Sequence, residues 1–237
     1  LFPSKRRRVG ATNLALCFPG VPESLRRRWL RQTFQASVRA ALEYGILWWG
    51  SEARVRRLVR IDNPEAARGD GVRPVIWLAP HFVGLDMGGV RLTTEFPLVS
   101  MYSRQKNPLI DALLLHSRTR FGNSPMASRQ DGLKPVVREM RKGLPFYYLP
   151  DMDFGARDAV FVPFFGVPTA TVTALSRLAK ITGAAVVPCI TRQLPGGAGY
   201  VATFHPAWQA FPSGDVEADT RRMNAFIEAQ VLKMPEQ

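Results

Sequence analysis

Residues 78–86 read LAPHFVGLD, a histidine followed five positions later by an aspartate, at the end of the apolar run PVIWL. These two residue types suit general-base chemistry on a hydroxyl. A carboxylate on one imidazole nitrogen fixes the tautomer and leaves the other nitrogen free to take a proton. The spacing sets a condition. On a continuous helix His81 and Asp86 would lie about 140° apart around the axis, and on a strand they would point to opposite sides. They converge only if the chain turns between them, with Pro80 ending a strand and Gly84 permitting the turn. The sequence holds no GxSxG nucleophile elbow, so the hydroxyl would belong to a substrate. The same residues also suit a loop histidine satisfied by a local carboxylate. Further carboxylates, Asp151 and Asp153, follow the apolar run PFYYL (145–149) and are expected to leave the end of a strand as well.

The elements needed to position these groups can be read from periodicity. Residues 23–49 predict a helix, with Leu25, Trp29, Phe34, Val38, Leu42 and Ile46 at spacings of four or five and arginines largely on other faces. Ser51 is a candidate N-cap for a short basic helix reaching about Arg60, and residues 62–74 are turn-rich. Strands and helices then alternate. Strands are expected over Val75–Leu78, Leu98–Tyr102, Pro145–Leu149, Ala184–Thr191 and Tyr200–His205. Helices are expected over Met87–Phe96, Pro108–Phe121, Lys134–Lys142, Thr171–Ile181 and Asp219–Leu232. This order predicts an α/β fold, a single domain with a central mostly parallel or mixed sheet flanked by helices. Residues 1–73 form a basic helical N-terminal segment packed on a core of residues 74–237. In open sheets of this kind, ligands bind beyond the carboxyl ends of the strands.

Composition narrows the function classes. The 237 residues are 46% hydrophobic and carry a formal net charge of +13, which allows a packed core and excludes a disordered chain. Residues 1–73 hold 15 basic and 6 acidic side chains, whereas residues 74–237 hold 17 and 13. A basic front end suits an anionic partner: nucleic acid, acidic lipid or a phosphorylated substrate. Two cysteines, Cys17 and Cys189, make neither a disulfide framework nor a metal cluster, and with three scattered histidines a zinc site is not expected. The uncharged stretch Ala159–Ser176 is long enough to span a bilayer, but Pro163, Gly166 and Pro168 spoil it as a helix in lipid. The opening LFPSKRRRVG lacks a signal-peptide core. It also lacks an initiator Met, as expected of a piece of a longer protein.

Several tempting signals lead nowhere. Asp153-Phe154-Gly155 spells the kinase metal-binding tripeptide, without an HRD loop or Gly-rich nucleotide loop. LPGGAG (194–199) reads as a hairpin turn. His116 falls on a helix beside Leu113–Leu115, and His205 before Pro206 reads as a turn.

HFVGLD (81–86), YSRQKNPLIDALLLHSRTRFG (102–122) and YLPDMDFGARDAVFVPFFGVPTAT (148–171) together resemble the bacterial lipid A late acyltransferases of the lysophospholipid acyltransferase superfamily, whose signature is H-x4-D/E. The likeness runs from NLALCFP (13–19) to PSGDVEADTRRMNAFIEAQ (212–230). It implies transfer of a fatty acyl group from an acyl carrier protein thioester to a hydroxyl of a lipid A precursor, without cofactor or metal and without an acyl-enzyme. By that resemblance His81 is the base and Asp86 its partner. Arg120, Arg118, Asp151 and Asp153 fall on substrate-binding positions, where an arginine would meet a phosphate or a developing oxyanion. It also implies a peripheral place on the cytoplasmic face of a Gram-negative inner membrane, with any anchor lying upstream of Leu1. Trp29, Trp48 and Trp49 among arginines fit such a surface. The sequence departs from many of these acyltransferases in having Asp86 for Glu and in ending at PEQ, where they continue with an aromatic and basic tail. The alternatives are acylation of another lipid, such as a glycerol phosphate, from acyl-CoA, a fold of this kind that only binds lipid, or nucleic-acid binding. No nucleic-acid-binding module is found in the sequence, and none is expected as a partner.

Overall fold

The computed structural model describes residues 4–122, 124–152 and 159–237. Two helices come first, α1 (Ser4–Cys17) and α2 (Glu23–Trp49), then α3 (Glu52–Leu58) and strand β1 (Val59–Asp62). The central units are β2 (Val75–Leu78), α4 (Leu85–Thr93), β3 (Val99–Tyr102), α5 (Pro108–Thr119), β4 (Met126–Ser128), α6 (Lys134–Arg141) and β5 (Phe146–Tyr148). A hairpin of β6 (Ala159–Phe164) and β7 (Val167–Val172) precedes α7 (Ala174–Thr182), β8 (Ala185–Gln193), β9 (Tyr200–Phe204) and α8 (Val216–Val231).

Seven strands form one sheet in the order β1-β9-β8-β2-β5-β3-β4. All neighbours are parallel except β8 and β9, which pair antiparallel. The sheet is thus mixed and mostly parallel, with helices covering it. Its central strands are apolar on both sides because both faces are covered. Ile76 and Leu78 enter one core with Val186, Leu178 and Met223, while Trp77 between them enters a second with Val187, Leu92 and Phe204.

The N-terminal segment is joined to this sheet through β1, whose residues 59–62 pair with β9 in register Val59–Tyr200 to Asp62–Thr203. The sequence suggested helix and turn there. Ser51 does cap α3, its side chain accepting from the Arg54 amide. The helix α2 spans the predicted residues, but only part of the expected stripe faces inward, Ile46 among it. Val38 and Leu42, on the expected apolar stripe, are 42% and 78% exposed. The most buried positions are Ala40 and Leu47, with Tyr44 and Ile46 packed alongside, Ala40, Tyr44 and Leu47 at the four- and three-residue spacing of a helix face.

Helix α4 lies unusually close to the sheet, and two glycines make that possible. A Cβ at Gly88 would stand 1.9 Å from Thr191 Oγ1 on β8, and one at Gly84 would stand 2.9 Å from Thr191 Cγ2 and Tyr200 Cδ1. Gly84 is also the residue at which the chain turns into α4. The expected turn between His81 and Asp86 is therefore present, and Asp86 enters the first turn of α4, where the helix dipole favours a carboxylate.

Candidate functional site

The site lies beyond the carboxyl ends of the parallel strands. β2 and β5 are neighbours in register, Leu78 opposite Tyr148, and the Ala79 amide continues the ladder by donating to the Tyr148 carbonyl at 2.8 Å. Both strands then stop at a proline, Pro80 and Pro150, which has no amide to extend the pairing. The next residue on each is polar: His81, three after Leu78, and Asp151, three after Tyr148. Equal offsets from a register pair bring the two side by side. Oδ1 of Asp151 is 2.8 Å from His81 Nδ1, and Oδ2 accepts from the His81 backbone amide at 2.8 Å. An ionised carboxylate only accepts, so the proton sits on Nδ1 and Nε2 carries the free lone pair. The His81 side chain is 37% accessible and that of Asp151 26%.

This corrects the expected partner of His81. Among the described residues the carboxylate on its imidazole is Asp151, not Asp86. The turn at Gly84 occurs, but it leads Asp86 onto α4 and toward α5, whereas the strand end of β5 reaches His81 first. Asp86 has other partners. Its Oδ1 accepts from Arg118 Nε at 3.1 Å and Nη2 at 2.8 Å, and its Oδ2 accepts from the Tyr44 hydroxyl. The ion pair is about three-quarters buried on both sides. Burial alone would weaken the Arg118 charge, but Asp86 more than offsets this and raises its pKa. The Tyr44 phenol is held far above its ordinary value by burial first and the Asp86 charge second, so it remains a donor.

Of the two arginines in SRTRFG, only Arg118 faces this site. Arg120 closes the end of α2, its Nη1 donating to the Leu47 carbonyl at 2.9 Å and its Nη2 to the Gly50 carbonyl at 2.7 Å, with its guanidinium carbon 4.5 Å from the Phe121 ring centroid. Two of its five donors are thus held by carbonyls at the end of α2. Asp153 lies outside the described residues.

A small cavity of about 50 Å³ opens beside Asp86 and Arg118. Its apolar walls are Leu85, Val90, Leu98, Met101, Met126 and Leu149, from α4 and the strands β3 to β5 or the turns beside them. His81 is not one of its walls, but Leu149 leads to Asp151 and Leu85 follows His81 closely in the chain. Tyr147 lines it too and donates to the Leu85 carbonyl at 3.2 Å. The arrangement sets an imidazole–carboxylate pair near a largely buried guanidinium and a small apolar cavity.

Tyr44 was missed by the sequence reading. Its signal was the helical spacing Ala40–Tyr44–Leu47, which marks the inward face of α2. Of the tryptophans, Trp49 is 71% exposed, Trp48 packs between Tyr44 and Trp49, and Trp29 packs edge-on to Phe18. Among the described residues no helix is long and apolar enough to cross a membrane.

The whole chain, residues 1–237, matches the model of the family described as bacterial lipid A biosynthesis acyltransferase. It is 36% identical to a lipid A biosynthesis acyltransferase of Haemophilus influenzae over 98% of this chain and 73% of that protein. It is 33% identical to the lipid A biosynthesis lauroyltransferase of Escherichia coli over 100% of this chain and 78% of that protein. To the E. coli lipid A biosynthesis myristoyltransferase it is 31% identical over 99% and 73%.

Proposed function

Because the chain belongs to the bacterial lipid A biosynthesis acyltransferase family, we propose that it moves a fatty acyl group from an acyl carrier protein thioester to a hydroxyl of a lipid A precursor, with His81 as general base. The observation that carries this reading is the 2.8 Å contact of His81 Nδ1 with Asp151, next to an apolar cavity. Asp151 fixes the tautomer, so Nε2 faces the acceptor as a proton acceptor. The acceptor oxygen attacks the thioester carbonyl as its proton passes to Nε2. The tetrahedral adduct then collapses, the carbon–sulfur bond breaks, and the imidazolium returns the proton to the departing thiolate. No bond forms between acyl group and protein, and no cofactor takes part, since the thioester itself is the activated species.

Arg118 and Asp86 serve the substrate side. Asp86 holds the guanidinium at the cavity mouth through two donors, leaving its remaining N–H groups for a phosphate or a developing oxyanion. The apolar walls mark where the acyl chain enters, the cavity widening as the chain goes in. The protein works at the cytoplasmic face of a Gram-negative inner membrane, peripherally or through a segment outside this chain. Support comes from the exposed Leu42 and Trp49 on α2 and Leu109 on α5, together with a net charge of +13 facing anionic lipid.

The test is transfer of radiolabelled acyl groups from acyl carrier protein thioesters to lipid A precursors, with acyl-CoA as a competing donor, comparing the unaltered protein with His81→Ala. The variant is expected to lose at least about a hundredfold in rate. Full activity in His81→Ala would overturn the mechanism, and preference for acyl-CoA would overturn the donor.

A further inference from the structure

A second, larger groove lies between α2 and the far end of β8, with about 1230 Å³ of space open to solvent. Its chemistry differs from that of the apolar cavity. Three cations line it, Arg39 from α2, Arg192 from β8 and Lys233 after α8, together with the amides of Gln32 and Gln35; Gln193 also borders it, its amide donating inward to the Ala36 carbonyl and the Tyr200 hydroxyl. Arg192 is exposed and makes no ion pair among the described residues. Lys233 makes a 3.3 Å contact with Gln230 and no ion pair among the described residues. Arg39 pairs with Glu43 at 3.0 Å and donates to the Leu194 carbonyl at 2.8 Å, yet its buried Nη2 has no partner among the described residues. Glu236 also lines the groove and opposes this positive charge.

The groove adjoins the catalytic side of the sheet. β8 is the neighbour of β2 in register Leu78–Pro188, so Arg192 and Gln193 stand just beyond the level of His81. Between them, Met234 of the groove wall packs with Ile190 and with Phe82, the residue after His81. Cations suit a phosphate, and amides that donate and accept suit hydroxyls. Together they match a phosphorylated saccharide.

We propose that this groove between α2 and the end of β8 binds the phosphorylated sugar headgroup of the acceptor, with Arg192 and Lys233 meeting its phosphate and the amides of Gln32 and Gln35 its hydroxyls. The proposal rests on the reading that a lipid A precursor is the acceptor. It separates the two substrates spatially, acyl chain on the β3–β4 side of His81 and sugar on the β8 side.

Two measurements on the full chain test it. In the transfer assay, the double variant Arg192→Gln/Lys233→Gln should raise the acceptor KM by about tenfold or more, the loss expected for a charge-assisted phosphate contact, while the donor KM stays constant. Glu236→Gln should lower the acceptor KM. Independently, binding of glucosamine 1-phosphate and of inorganic phosphate is measured by NMR shift perturbation. The expected result is saturable binding of the sugar phosphate at Gln193 and Met234, weaker binding of phosphate, and loss of both in the double variant. An unchanged acceptor KM, or inorganic phosphate binding as well as the sugar phosphate, overturns the proposal. If no lipid A precursor is acylated but sugar phosphate binding still depends on Arg192 and Lys233, the acceptor reading fails while the groove stands.

Discussion

Asp86 gives one carboxylate oxygen to two nitrogens of Arg118, at 3.1 Å and 2.8 Å, while Tyr44 donates to the other. Three segments distant in sequence, α2, α4 and α5, meet at this carboxylate, which is three-quarters buried. Removing one partner leaves the other incompletely satisfied. Arg118→Ala is therefore expected to cost about 1–2 kcal/mol, discounted for the exposed quarter of the pair, and to lower transfer activity at least about tenfold. Arg118→Lys should not restore activity, because an ammonium does not reproduce the guanidinium's paired donors. Urea titration alongside the transfer assay checks both expectations.

Tyr44→Phe removes only a hydroxyl. Since the phenol is held far above its ordinary pKa by burial and by Asp86, it is a protonated donor at any pH at which the protein is assayed. The loss, about 1 kcal/mol, should be the same at pH 7 and pH 9. A loss that shrinks as pH rises would mean that Tyr44 ionises.

Asp151→Asn tests the tautomer. The amide oxygen can still accept from the His81 backbone N–H, but its NH2 group then meets Nδ1, which can only accept from it. That places the proton on Nε2 and removes the base. We expect a rate loss of about 10²–10⁴ with an unchanged circular dichroism spectrum. Retention of most activity would show that another group orients His81.

Arg120 separates structure from chemistry in the same sequence motif. Arg120→Ala uncaps the Leu47 and Gly50 carbonyls and should cost about 1–3 kcal/mol of stability. Acceptor and donor KM, measured well below the melting temperature, should stay as they are. A rise in either would return Arg120 to the substrate side.

His205 gives the pH dependence of the fold a sign. Burial first, then Lys233, lowers its pKa, and the ring sits edge-on to Phe226 at 5.5 Å. A depressed imidazole favours the neutral form in the native state. Its contribution is complete above the unfolded value of about 6.5 and is lost as pH falls through the lower folded value. Melting curves between pH 7 and pH 5 should fall less steeply for His205→Gln than for the unaltered protein. Equal slopes would refute the assignment.

The strand and helix order was legible because buried parallel strands are continuous apolar runs, and Val75–Leu78 is such a run to the residue. Short or edge elements were not. β1 and β4 are the two edge strands, and their residues VRID and MAS lack the continuous apolar run that marks a central strand. The hairpin β6–β7 lies in the uncharged stretch 159–176, whose prolines and Gly166 masked its alternation. The start expected for α7, Thr171, falls in β7, and the helix begins at Ala174. The opening KRRR was read as charge, although it belongs to the helix α1. The candidate residues His81 and Asp151 could each be found by type and by the strand before them. Their pairing could not, because it depends on β2 and β5 being neighbours in a given register, a fact that no local window contains. Arg118 and Arg120 illustrate the same limit: two residues apart on one helix end, they face different surroundings.

The matched strand ends have a practical corollary. His81 and Asp151 stand the same number of residues past a hydrogen-bonded pair, so the sheet works as a caliper. A single insertion or deletion between Tyr148 and Asp151 would slide the carboxylate by about 3.3 Å, more than the whole length of its contact with the imidazole. This stretch should therefore tolerate exchanges of residue but not changes of length.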